Sequence, residues 1–143
     1  MAKRILTPID PREDSEAILP VVAALARDAG STVRLLRVLP VPTQVVGNHG
    51  RIVAFVDQEM ERLTAEGLAD LQHAEAELVG VPVEAVVRFG EPAKEIVVEA
   101  EAFHADLIAL AAGRSGRLRS ALAPGVADRV ARDSGIPTLT LRD

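Results

Sequence analysis

Short aliphatic runs alternate along this chain with longer stretches in which apolar residues recur every three or four positions. The first run, Ile5-Leu6-Thr7-Pro8-Ile9, ends at Asp10 and reads as a strand. Pro11, Arg12, Glu13 and Asp14 then form a polar turn. Ser15 is placed as a helix N-cap, with Asp14 and Glu16 near the positive end of the helix. Ile18, Val21, Val22, Leu25 and Ala29 keep helical spacing over 17–29, and Gly30 provides the stop. A second strand covers 33–39 and is closed by Pro40 and Pro42. After a loop reaching Gly50, a long helix carries Val53, Val56, Met60, Leu63, Leu68, Leu71 and Leu78 on one broad face and ends at Gly80. Gly67 inside it costs about 1 kcal/mol relative to alanine, so it marks a bend or a close contact.

The second half repeats the alternation. A strand over 83–87 leads to the turn Gly90-Glu91-Pro92, with Pro92 at the first position of a helix that buries Ile96, Val97, Ala100 and Phe103. The fourth strand spans 107–111. Ala123, Val126, Ala127 and Val130 mark the last helix, Gly135 and Pro137 end it, and 138–141 closes the chain. Five strands alternating with four helices predict parallel strands joined by right-handed crossovers, in a three-layer α/β/α sandwich. The closing strand alternates Thr with Leu, which fits an edge. Pro8 removes a ladder hydrogen bond, so it belongs at the carboxyl end of its strand.

Composition sharpens this picture. The chain has 143 residues, read as one domain over 1–143, with 48% hydrophobic but only 2% aromatic residues. The core is therefore aliphatic, as suits a parallel sheet covered on both faces. A net charge of −5 argues against nucleic acid as a partner. The absence of cysteine excludes disulfides and thiolate chemistry. No apolar run approaches a membrane span and the start lacks a signal-peptide pattern, so a cytoplasmic protein without a membrane partner is expected.

Candidate chemistry gathers where the fourth strand opens into Gly113-Arg114-Ser115-Gly116, followed by Arg117, Arg119 and Pro124-Gly125 before Val126. A strand, a glycine loop and a helix start in that order form a phosphate cradle or a plain solvated connection. Asp10, past the end of a central strand, is a ligand contact or a turn aspartate. His49, His73 and His104 lack metal-ligand spacing. Ser115 and Ser120 lack a nucleophile elbow, and the acidic residues of the second and third helices read as solvated faces. No enzymatic activity is expected.

The whole chain resembles the universal stress protein family. The pieces are Thr7-Pro8-Ile9-Asp10 with Ser15-Glu16-Ala17, the strand at 33–39, the turn from Val86 to Ala93, Asp106-Leu107-Ile108, and Val126-Ala127-Asp128-Arg129-Val130. The resemblance implies a flavodoxin-like five-stranded parallel sheet of order 3-2-1-4-5. It also implies a homodimer paired through Thr138, Leu139, Thr140 and Leu141. Nucleotide-binding members hold ATP with the pattern G-x2-G-x9-G-[ST]. Carried over, this implies a site for ATP with Mg2+ in the crevice between strands 1 and 4, made by Pro8, Asp10, Val38, Ala111, Gly113, Arg114, Gly116, Gly125 and Val126. The chain departs from the pattern. Without gaps, the glycines fall on Ala111, Arg114 and Pro124, and the hydroxyl residue on Gly125; shifted, Gly113 and Gly116 fit, but Gly125 comes one residue early and Val126 follows it. Pro124 removes an amide donor, while Arg114, Arg117 and Arg119 supply charge. Two readings remain. In one, a stress-response regulator binds an adenine nucleotide that orders the 113–125 loop and alters dimer contacts; in the other, a nucleotide-free dimeric interaction module carries a degenerate phosphate loop.

Overall fold

A computed structural model describes residues 3–10, 17–42, 51–112 and 125–142, the side chains of 51–55 excepted. The elements run β1 (Arg4–Pro8), α1 (Leu19–Ala29), β2 (Thr32–Leu39), α2 (Arg51–Glu75), β3 (Val83–Phe89), α3 (Pro92–Phe103), β4 (Leu107–Ala112), α4 (Val126–Asp133) and β5 (Thr138–Arg142). The strands form one parallel sheet of order β3-β2-β1-β4-β5, the expected flavodoxin-like arrangement. Pro8 is the last residue of β1, where its missing N–H costs least. β5 is an edge strand paired with β4.

Two aliphatic cores cover the two faces of the sheet. Ile5, Val33, Leu35, Ala109 and Ala111 pack against α1 and α2 through Leu19, Val22, Leu71 and Ala74. Leu6, Leu36, Ile108 and Leu110 pack against α3 and α4 through Ile96, Ala100, Phe103 and Val130. Alternate residues of each strand thus serve opposite layers, which the period of two along a strand requires.

Several local expectations change. The first helix starts at Leu19 with Ile18 in the N-cap position, and Pro20 stands in its first turn, where a missing N–H is harmless. Ser15, expected as its cap, lies outside the described residues. The long helix stops at Glu75, not Gly80, and Leu78 is buried in the turns that follow it. Leu68 is exposed, because Gly67 takes the inward position beside it. A Cβ on Gly67 would stand 2.9 Å from Val87 Cγ2 and 3.6 Å from Arg37 Cγ and Leu39 Cδ1. The glycine is therefore a close contact of α2 with β2 and β3, and a Cβ would fit there only if Val87 shifted. Glu99 overturns the expectation of solvated acidic faces: it is only 4% exposed.

Candidate functional site

The strand order reverses between β1 and β4, since the chain winds outward from β1 in one direction and from β4 in the other. Ligands of open α/β sheets collect outside the carboxyl ends of the strands at such a point. A pocket of about 60 Å³ lies beside that point, where β1 and β2 end between the start of α3 and the start of α4, and its described lining includes no residue of β4. Pro8, Leu36, Val38, Ile96 and Val126 give it aliphatic walls, and among the described residues Asp10 and Arg37 are the charged ones of its lining. That volume suits about two waters. A drug-sized ligand needs roughly 300–1,000 Å³, so a nucleotide would extend beyond the described walls.

Four of the residues named from sequence line this pocket: Pro8, Asp10, Val38 and Val126. Gly125 precedes α4 in its N-cap position with φ +86°, and a Cβ there would meet nothing within 4 Å. Its glycine answers a backbone need, not a steric one. Ala111 is 1% exposed and packs in the core on the α1–α2 face, while its backbone pairs with Leu141. Its side chain is absent from the pocket lining. Gly113, Arg114 and Gly116 lie outside the described residues, as do Arg117, Arg119 and Pro124.

The sequence reading missed Arg37. Its Nη1 donates a hydrogen bond to Asp10 Oδ1 at 2.7 Å, and the two side chains are 20% and 18% exposed. A signal existed: Arg37 has the strand parity of Val33, Leu35 and Leu39, all buried. A charge at an inward position needs a partner. The pairing follows from the end of the β1–β2 ladder, where Ile9 N donates to Leu36 O at 2.9 Å and carries Asp10 to the level of Arg37. Arg37 Nε is buried and meets no acceptor among the described residues.

A second charged cluster lies under α3. Arg34 Nε and Nη2 donate to Glu84 Oε1 at 2.9 and 2.8 Å, and Arg34 Nη1 donates to Glu99 Oε2 at 2.6 Å. The same guanidinium carbon lies 4.1 Å from the centre of the Phe103 ring, a cation–π arrangement. Arg88 donates to Glu95 Oε1 at 2.9 Å and to Glu99 Oε1 at 3.0 Å. Burial would lower the Arg34 pKa, but its bonds to Glu99 and Glu84 outweigh that and raise it. The bond to Glu95 leads in raising Arg88. Both arginines therefore stay charged around the buried Glu99 carboxylate. Arg129 pairs with Glu91, which ties α4 to the turn before α3. Since Pro92 and Ile96 belong to α3 and Val126 to α4, these pairs brace two walls of the pocket.

A family model described as the universal stress protein family matches residues 1–142. Comparison with curated proteins gives no match. Among solved structures, the hypothetical protein MJ0577, the subject of a structure-based assignment of biochemical function, is 27% identical with a TM-score of 0.77, over 99% of this chain and 96% of that one. A universal stress protein from Archaeoglobus fulgidus in complex with dAMP is 19% identical with a TM-score of 0.62, over 96% and 95% of the two chains. A universal stress protein in complex with cAMP is 17% identical with a TM-score of 0.62, over 99% and 97%. The last two likenesses bear on the fold alone. The family match extends over nearly the whole chain, and the chain belongs to the universal stress protein family.

Proposed function

We propose that this member of the universal stress protein family is a cytoplasmic, non-enzymatic regulator that binds an adenine nucleotide at the carboxyl ends of β1 and β2. The observation that carries the reading is the pocket itself, in which Pro8, Asp10, Val38 and Val126 meet where β1 and β2 end, beside the topological switch point. The aliphatic walls of Leu36, Val38 and Ile96 suit a base, while the Asp10 carboxylate accepts from hydroxyl or amino donors. The phosphates would then run toward the start of α4, whose helix N-terminus favours negative charge. Relatives of the same fold described as complexes with dAMP and cAMP support a mononucleotide of this class.

Calorimetry with millimolar ATP and magnesium, together with mass spectrometry of gently purified protein, tests the reading. Saturable heat or co-purified nucleotide is the expected outcome. Neither signal in either measurement would leave the nucleotide-free interaction module in its place.

The same reading takes the protein as a homodimer through β5. That strand is paired on one side by β4, and Leu139 is 37% exposed on it. An edge of this kind presents unpaired N–H and C=O groups to a second copy. Sedimentation of Leu139→Lys should show loss of the dimer. A monomeric wild type would remove the proposal.

A further inference from the structure

We infer that Arg37 is a positioning residue of the pocket: it holds the Asp10 carboxylate in place and cancels its charge, so that the mouth admits a polyanionic nucleotide instead of repelling it. The inference rests on the nucleotide reading above and adds to it a requirement carried by a residue of β2.

Three observations lead to it. The first is electrostatic. Among the described residues, Asp10 and Arg37 are the charged members of an otherwise aliphatic pocket lining. Both are largely shielded from water, at 18% and 20% exposed, so their charges act at short range with less screening than surface groups feel. A bare carboxylate in that position, in a chain of net charge −5, would oppose an anionic ligand. The Arg37 guanidinium nitrogen, 2.7 Å from Asp10 Oδ1, opposes that field.

The second observation is that Arg37 is incompletely satisfied. Its Nε is buried without an acceptor, whereas Arg34 on the same strand uses Nε, Nη1 and Nη2 in bonds to Glu84 and Glu99. An unmade hydrogen bond of a buried donor costs about 1–3 kcal/mol. A purely structural role would be met more cheaply by an aliphatic residue, such as its buried neighbours of the same parity Leu35 and Leu39. The third observation is steric. Gly67 leaves room for the arginine stem, with its missing Cβ 3.6 Å from Arg37 Cγ. The helix above thus accommodates this side chain where it approaches the sheet.

The experiment titrates ATP, AMP and adenosine at low ionic strength into the wild type, Arg37→Gln, Arg37→Lys and the double variant Asp10→Asn/Arg37→Gln. Arg37→Gln should weaken ATP on the order of tenfold, AMP less, and adenosine least, because the loss follows ligand charge. Added salt should shrink the ATP loss. Arg37→Lys should keep most of the affinity. The double variant should recover much of the ATP loss, since the amide removes the negative charge of Asp10. An equal loss for all three ligands, or no recovery in the double variant, would reduce Arg37 to a packing residue and overturn the inference. A wild type that binds none of the three would instead refute the nucleotide reading and this inference with it.

Discussion

Arg34 and Arg37 stand on the same strand, one turned toward α3 and the other toward α2. Arg34 spends three of its N–H groups on Glu84 and Glu99 and lays its planar head against Phe103. Arg37 reaches Asp10 through one nitrogen and leaves another buried without an acceptor. The first arrangement is closed: a buried carboxylate, two arginines and a ring complete one another beneath a helix. The second leaves Arg37 Nε without an acceptor among the described residues, and both of its residues line the pocket at the ends of β1 and β2. Charges that are mutually satisfied beneath a helix hold a fold together, whereas a charged pair beside a cavity also sets the field that a ligand meets.

The sharpest way to break the comparison is to remove the centre of the closed cluster. Glu99→Ala would leave Arg34 and Arg88 facing each other without their shared carboxylate, and urea unfolding should show a loss of about 3 kcal/mol. A loss below about 1 kcal/mol would mean that the cluster is no brace. Arg34→Gln should cost about 2 kcal/mol by the same measurement, since Glu99 keeps Arg88 as a partner.

Gly67→Ala probes the contact over Arg37 and Val87. Crowding of Val87 at 2.9 Å should outweigh the gain in helix propensity and leave a net loss of about 1 kcal/mol in thermal or urea unfolding. A more stable variant would show that the sheet yields there. The smallest effect belongs to Arg37→Gln. Removing the orphaned Nε offsets part of the lost bond to Asp10, so stability should change by less than about 1 kcal/mol even as ATP affinity falls. If Arg37→Gln destabilises as much as Arg34→Gln, the distinction between closed and open arginines is lost.

Much of this was legible beforehand in particular residues. Pro8 marked the end of β1, Pro92 the start of α3, and Gly30 the end of α1, because each meets a local backbone demand. The pocket was legible only in part. Pro8, Asp10, Val38 and Val126 were named from the family pattern, but Arg37 and Ile96 came into view once β1, β2 and α3 were laid side by side. Glu99 was half legible: it lies three residues after Ile96 and four before Phe103, on the buried face of α3, but its partners are separated from it by 65 positions at Arg34 and by 11 at Arg88.

The sequence alone determined the alternation of strands and helices, the aliphatic character of both cores, and the family to which the chain belongs. These depend on periodicities of two and 3.6 residues and on short motifs, all of which are local. Only the tertiary structure decided that Glu99 is buried between two arginines, that Gly67 lies against Val87, and that Arg37 meets Asp10. Each of those contacts joins residues on different elements, and the strand order that brings them together depends on the balance of packing over the whole sheet.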